Sequence, residues 1–152
     1  MKNACLFIAL ALLAACNSEP TTSKPAPEEQ PNTASADSLM HCYQYANQGD
    51  TVTMKLIHMG DIVTGTLIYQ LKEKDSNKGS ITGAIHNDVL VADYTFMSEG
   101  TQSVRQVAFK QSGTAFIEGY GESADENGVA KFKNLDSLHF NSSIKLQEMS
   151  CK

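Results

Sequence analysis

Apolar and polar side chains alternate with a period of two residues along nearly every segment that follows residue 39. The segments 52–58, 63–71 and 90–96 each carry their large apolar side chains at every second position. A β-strand with one buried face has this period, because successive side chains point to opposite faces of a sheet. No window of useful length shows the helical period of 3.6 residues. The pattern predicts a single all-β domain over residues 39–152, long enough for one hydrophobic core.

Turn-forming residues recur between these segments, and three pairs are candidates for two-residue hairpin loops: Gly60-Asp61, Asn87-Asp88 and Ser112-Gly113. The three loops pair side chains of the flanking strands as follows: Met54 with Leu67, Leu56 with Gly65, Ile85 with Leu90, Gly83 with Ala92, Ile81 with Tyr94, and Phe109 with Phe116. In all three hairpins the apolar faces fall on the same side, whereas a slip of one residue would invert a face. The loops therefore predict an antiparallel meander of sequential hairpins.

The N-terminus has the parts of a secretory signal: a basic Lys2, an apolar run over residues 4–13, and small residues before a cysteine. The apolar run is shorter than the roughly 20 residues that cross a bilayer. Leu13-Ala14-Ala15-Cys16 resembles a bacterial lipobox, which implies cleavage before Cys16 and lipidation of that residue. We therefore expect a signal peptide over residues 1–15 and an envelope protein that a lipid holds to the membrane without spanning it. Asn17 favours the outer over the inner membrane, and an ordinary signal peptide with an incidental cysteine is the alternative.

Two of the four cysteines remain after the leader and the lipid site are set aside, namely Cys42 and Cys151. In the oxidising envelope these two thiols are expected to form a disulfide. We count eight to ten strands, and a meander of that size closes most easily into a small calycin-like barrel. Closure would make Cys42 on the first strand a neighbour of Cys151 after the last one. A two-sheet sandwich is the alternative.

Residues 16–38 are rich in Ser, Thr, Glu and Pro and nearly lack apolar side chains. Such a composition cannot offset the entropy of ordering, so the segment is predicted to be a disordered tether that begins at the lipidated Cys16. Removal of residues 1–15 takes away Lys2 and leaves 11 basic against 17 acidic residues, a net charge of −6. That charge disfavours nucleic acid as a partner. The remaining partners are the membrane through the lipid, a small-molecule ligand, or another envelope protein.

Two charged residues interrupt the apolar interior pattern on neighbouring strands, Arg105 and Glu118. With a loop at 112–113, Glu118 lies opposite Val107 and Tyr120 lies opposite Arg105, and the preceding hairpin brings Tyr94 alongside. Because an unpaired buried charge is costly, Arg105 and Glu118 are expected to form an ion pair. Tyr94, Arg105, Glu118 and Tyr120 are thus a predicted ligand-binding cluster inside the barrel mouth. The alternatives are a structural salt bridge and a solvent-exposed face.

The sequence contains no nucleophile elbow, phosphate-binding loop or HExxH motif, so we expect a protein that is not an enzyme and uses no cofactor. The four histidines share no i,i+2 or i,i+4 spacing, and no metal site is expected among them: His41, His58, His86 and His139. The polar segments 72–79 and 98–101 are interpreted as solvated turns, with loops for a protein partner as the alternative.

Several short motifs between residues 41 and 151 resemble those of a family of small envelope lipoproteins with no established activity: Cys42-Tyr43, Val63-Thr64-Gly65, Glu73-Lys74-Asp75-Ser76-Asn77, Ala92-Asp93-Tyr94-Thr95-Phe96, Ser98-Glu99-Gly100, Val107-Ala108-Phe109, Gly119-Tyr120-Gly121 and Cys151. The resemblance implies a fold and a location, and no mechanism. A lipidated small barrel with a disulfide is also similar to periplasmic inhibitors of c-type lysozyme, whose loop motif is not evident here. Two hypotheses follow. One is a carrier of a small, partly apolar ligand in the barrel. The other is a protein-interaction module, such as a lysozyme inhibitor or an envelope assembly factor, that uses segments 72–79 and 98–101.

Overall fold

The structure is a computed structural model and describes residues 40–152. Ten strands and one short 3₁₀ turn, Leu135–Ser137, form this part of the chain. The strands are β1 Met40–Asn47, β2 Asp50–Met59, β3 Ile62–Gln70, β4 Asn77–His86, β5 Val89–Ser98, β6 Thr101–Ser112, β7 Ala115–Gly119, β8 Ser123–Glu126, β9 Val129–Phe132 and β10 Lys145–Met149. None of the described residues belongs to a helix long and apolar enough to cross a bilayer. The predicted signal peptide, Cys16 and the tether lie outside the described residues.

Eight strands form a closed barrel. Strands β1 to β7 follow one another around the wall in antiparallel pairs, and β10 lies between β7 and β1. The pairing of β5 with β6 completes the ring. Closure leaves none of these eight strands with a free edge, which is the main advantage of a barrel over an open sheet. The predicted all-β barrel is confirmed, and the alternative sandwich is wrong.

A long connection interrupts the meander between β7 and β10, over residues 120–144. Within it β8 and β9 form a hairpin, and β9 pairs in parallel with β6 at Arg105↔Ala130. The pairing of β7 with β6 ends at Ala108↔Gly119, so β9 takes the place of β7 beside the first half of β6. The barrel wall therefore divides next to Arg105.

Two of the three predicted hairpin loops have the predicted register, namely those at Gly60-Asp61 and Asn87-Asp88. The structure contains every pair that these two loops predict: Met54↔Leu67, Leu56↔Gly65, Ile85↔Leu90, Gly83↔Ala92 and Ile81↔Tyr94. A correct register keeps the apolar side chains of β2 to β5 on the interior face. Loop chemistry and apolar alternation were therefore sufficient to align half of the barrel wall.

The third hairpin differs from the prediction by one loop position. Its loop is Gly113-Thr114 rather than Ser112-Gly113, and Phe109 pairs with Glu118 instead of Phe116. Gly113 has a φ of 63°, and a glycine at the first loop position is what a type II′ hairpin requires. The correction moves every partner on β7 by two residues. Because two residues are one full period of a strand, the interior face stays the same.

Side chains from all eight wall strands fill the centre of the barrel. The largest of those that are almost completely buried are Tyr94, Phe109, Phe116, Met54, Leu56, Leu67, Ile81, Leu90, Leu146, Val52 and Val63. The ring of Tyr43 packs edge-to-face on Phe116, with 5.0 Å between the ring centroids, a favoured aromatic geometry. A core packed in this way restricts a ligand site to an end of the barrel.

The disulfide between Cys42 and Cys151 is confirmed, with 5.2 Å between the two Cα atoms. The bond joins β1 to the segment after β10. Strands β1 and β10 pair directly, with Cys42 opposite Met149. The end of the barrel where β1 begins also carries the β2–β3, β4–β5 and β6–β7 loops. The opposite end, called the mouth below, carries the β1–β2, β3–β4 and β5–β6 loops together with the 120–144 connection.

Candidate functional site

Arg105 is the only arginine of the chain, and it lies on the interior face of β6 towards the mouth. Its Cζ atom is 5.3 Å from the ring centroid of Tyr69, 5.4 Å from that of Phe96 and 5.6 Å from that of Tyr94. An aromatic face attracts a cation at these distances. Tyr94 and Phe96 are two residues apart on β5, and their rings stack at 4.6 Å. Aromatic side chains of β3 and β5 thus surround one guanidinium.

Tyr69 and Glu118 form the one strong hydrogen bond of this cluster. The Tyr69 hydroxyl donates to Oε1 of Glu118 at 2.5 Å. Burial raises the pKa of Glu118, and the hydrogen bond from Tyr69 and the charge of Arg105 only partly oppose that rise. Burial and the neighbouring Glu118 raise the pKa of Tyr69. The tyrosine is therefore a permanent donor, and the carboxyl is easier to protonate than an exposed glutamate.

The raised pKa of Glu118 makes stability depend on pH. For an acid whose pKa is higher in the folded state, stability is greatest below the unfolded-state pKa and falls as the pH rises towards the folded-state value. Glu118→Gln removes the charge and keeps an oxygen that can accept from Tyr69. We expect the variant to melt at a higher temperature than the wild type at about pH 8, and at a similar temperature at about pH 3.5. Thermal unfolding followed by circular dichroism measures both.

The control for this comparison is Glu99→Gln, which neutralises an exposed carboxyl in the β5–β6 loop. Its melting temperature should follow that of the wild type at both pH values. A Glu118→Gln protein that is no more stable than the wild type at the higher pH would show that the buried carboxylate does not destabilise the fold.

The predicted ion pair between Arg105 and Glu118 is wrong. The ion pairs among residues 40–152 join other side chains, all of them exposed: His41–Glu148, Lys131–Glu126 and Lys133–Glu122. The cause is the corrected β6–β7 register, which sets Glu118 opposite Phe109, further along β6 from Arg105 than the predicted partner Val107. Within the described residues, the buried Nε of Arg105 has no hydrogen-bond partner. The cluster therefore contains a cation without a bound counter-charge.

Tyr120 does not join this cluster, which corrects its predicted place opposite Arg105. β7 ends at Gly119, and Tyr120 pairs instead with His139 of the long connection. The side chain is 52% exposed, and its hydroxyl donates to Oδ1 of Asn141 at 2.7 Å. The short length of β7 is the physical reason, because the chain leaves the wall before Tyr120 can face the interior.

Three residues of the site were absent from the predicted cluster, namely Tyr69, Phe96 and Asn77. Tyr69 and Phe96 occupy interior positions of their strands, so the period-two pattern contained a signal for both. Their approach to Arg105 depends on closure of the barrel, which brings β3 across from β6. Asn77, at the start of β4, has a buried Oδ1 with no partner among the described residues. It belongs to the polar segment 72–79, which the sequence analysis interpreted as a solvated turn.

Two cavities meet at Arg105 and Glu118. The larger one, about 450 Å³, opens at the mouth, and its wall also contains Tyr69, Asn77 and the apolar side chains of Leu71 and Ile144. The smaller one, about 230 Å³, lies where the wall divides between β6, β7 and β9. Exposed residues of the β3–β4 loop and Ser98 of β5 contribute to the larger cavity. The two charged side chains thus face space that a ligand could occupy.

The opposite end of the barrel brings two of the four histidines together. The rings of His41 and His58 meet edge-on at 5.5 Å, and Nδ1 of His41 lies 3.2 Å from Oε1 of Glu148. Burial and the proximity of His41 lower the pKa of His58. Within residues 40–152, no group of three or more histidine, cysteine or acidic side chains has a metal-binding arrangement.

The mouth combines the guanidinium of Arg105, three aromatic rings and the carboxyl of Glu118, whose pKa burial raises. Comparison with protein-family models, with curated proteins and with solved structures finds no match. The resemblance to small envelope lipoproteins stays a prediction. Of the predicted site residues, the structure brings together Tyr94, Arg105 and Glu118.

Proposed function

We propose that this chain is a lipid-anchored, non-enzymatic protein of the bacterial envelope that binds a small, partly apolar ligand at the mouth of its barrel. One observation supports a ligand site: Arg105 lines a cavity of about 450 Å³ and pairs with no carboxylate of the described residues. A guanidinium without a carboxylate partner can bind an anionic group of a ligand. Leu71 and Ile144 give the same cavity the apolar surface that is typical of small-molecule sites.

The proposed location rests on the N-terminal sequence. The lipobox at residues 13–16 implies a lipid on Cys16, and Asn17 favours the outer membrane. The Cys42–Cys151 bond supports an oxidising compartment, because disulfides persist outside the cytosol.

A second candidate function is a protein-interaction module, and the filled barrel centre favours it. The loop between β3 and β4, within segment 72–79, and Ser98 at the start of segment 98–101 both border the larger cavity. A partner such as a cleft-bearing envelope enzyme could insert a side chain there. The two candidates use the same end of the barrel and differ in what occupies it.

Native mass spectrometry of the full chain, extracted in mild detergent from the membranes of the bacterium that makes it, tests the proposal. We expect a mature protein that begins at a diacylglyceryl Cys16 and carries an extra non-covalent mass that organic extraction removes. The control is Arg105→Gln, purified in the same way. Detergent and bulk lipid would add mass to both proteins, whereas a ligand of the mouth would be reduced in the variant.

Each readout contradicts a different part of the proposal. An unmodified residue at the mature N-terminus would refute the lipid anchor. A clean mass for the wild-type protein, or an adduct of equal abundance in the variant, would refute a ligand at Arg105. The protein-interaction module would then become the better account, and partners would be sought by cross-linking in intact cells.

A further inference from the structure

We propose that the ligand is a small monocarboxylic acid whose carboxylate binds the guanidinium of Arg105, an inference that rests on the proposed function. The site of this interaction is the larger cavity at the mouth, with the apolar part of the ligand against Leu71 and Ile144.

Arg105 is the positive charge in the depth of the cavity. Four charged side chains border the space: Arg105, Glu118, Lys74 and Asp75. Lys74 and Asp75 are exposed, opposite in sign and adjacent in sequence, so water screens them and their charges offset each other. Glu118 accepts the bond from Tyr69, and the ion pairs among residues 40–152 join other side chains. Arg105 therefore supplies a positive charge that pairs with no carboxylate of the described residues.

The aromatic rings around Arg105 do not replace an anion. Tyr69, Tyr94 and Phe96 attract the positive charge through their faces, but ring faces lack the lone pairs that N–H donors need. Within the described residues, Nε of Arg105 has no acceptor. A carboxylate presents two oxygens in the spacing of the guanidinium fork and accepts two parallel hydrogen bonds. Because Nε is buried, a ligand in the cavity would be bound through the two Nη groups of Arg105, a residue of the cavity wall.

The single cation favours a monoanion over a phosphate. No second arginine exists in the chain, and the lysine that lines the cavity, Lys74, is exposed beside Asp75. A dianionic phosphate would bring one charge more than Arg105 neutralises, close to the carboxyl of Glu118. A cavity of about 450 Å³ accommodates an acid of modest size.

The single arginine makes a direct test possible. ¹⁵N-arginine labelling of the full chain in detergent gives one side-chain Nε–Hε resonance, which belongs to Arg105. The probes are sodium benzoate, its uncharged analogue benzamide, and inorganic phosphate. We expect benzoate to shift the resonance in a saturable way, while benzamide at equal concentration and phosphate leave it close to its free position.

Two variants test whether benzoate binds the paired N–H donors of Arg105. Saturation-transfer NMR of benzoate measures its affinity for each protein. Arg105→Gln should weaken binding by about tenfold or more, and Arg105→Lys should weaken it by a smaller factor, because lysine keeps the charge and loses the paired donors. Lys110→Gln is the matched control, since it removes a positive charge from the exposed face of the same strand. That variant should change the affinity less than about twofold.

The outcomes separate this inference from the proposed function. Equal shifts with benzamide, a larger shift with phosphate, no shift with benzoate, or unchanged affinity in Arg105→Gln would each overturn the monocarboxylate. If the wild-type protein nevertheless retains an adduct that Arg105→Gln lacks, a ligand of another class occupies the mouth and the proposed function stands. The labelled wild-type protein gives its result independently of whether either variant folds.

Discussion

Replacing Gly65 with alanine should lower the free energy of unfolding of the barrel by about 3 kcal/mol or more. Gly65 lies on the interior face of β3, between Leu56 of β2 and Ile81 of β4. A Cβ atom at this position would overlap the backbone carbonyl oxygen of Lys55. Because that obstacle is backbone, it can give way only if β2 moves away from β3. Glycine inside a strand commonly marks such a close approach in a barrel wall.

Urea unfolding of the wild type and the variant measures this effect. The control is Gly60→Ala in the loop of the same hairpin, where no atom of the described residues lies within 4 Å of the added methyl group. Gly60 has a φ of 63°, so alanine there should cost about 1 kcal/mol of left-handed backbone strain and no more. If the two substitutions cost the same, the wall at Gly65 is less closely packed than the structure indicates.

Loss of the disulfide should cost about 4–5 kcal/mol of unfolding free energy, because the bond closes a long loop in the unfolded chain. Cys42 and Cys151 are 109 residues apart in sequence, and the bond lies beside the pairing of β1 with β10. The double variant Cys42→Ala, Cys151→Ala, unfolded in urea beside the oxidised wild type, gives the value directly.

The reduced wild type is the control for the double variant. It lacks the same cross-link and keeps both sulfur atoms, so a difference between the two proteins reports the packing of Cys42 alone. We expect the two to agree closely. A double variant as stable as the oxidised protein would show that the β1–β10 seam holds without the covalent bond.

Local features predicted most of the wall of this barrel. Asn87-Asp88 and Gly60-Asp61 each set a register by loop chemistry, and the apolar alternation of the strands agreed with both. Cys42 and Cys151 then indicated which strands meet at the seam, because closure and an oxidised pair require the same neighbours. The hairpin loops and the apolar alternation are local, because each involves residues close together in sequence. The seam was indicated by a covalent bond.

The features that the sequence did not predict depend on contacts between segments that are distant in sequence. The shift at Gly113 follows from a choice between two adjacent loop positions, both compatible with apolar alternation. The parallel pairing of Ala130 with Arg105 joins a short, polar hairpin to a strand far from it in sequence, and no local pattern encodes it. Tyr69 and Phe96 carried an interior signal, but only the curvature of the closed barrel brings them to the guanidinium of Arg105.

A crystal structure of the full chain, purified from the cells that make it, is the most direct test of a ligand site at Arg105. We predict electron density for a non-protein molecule at the mouth, with an acidic group within hydrogen-bonding distance of the Arg105 guanidinium and Glu118 still bonded to Tyr69. A guanidinium in direct contact with the Glu118 carboxylate, with ordered water alone in the cavity, would contradict a ligand site at Arg105.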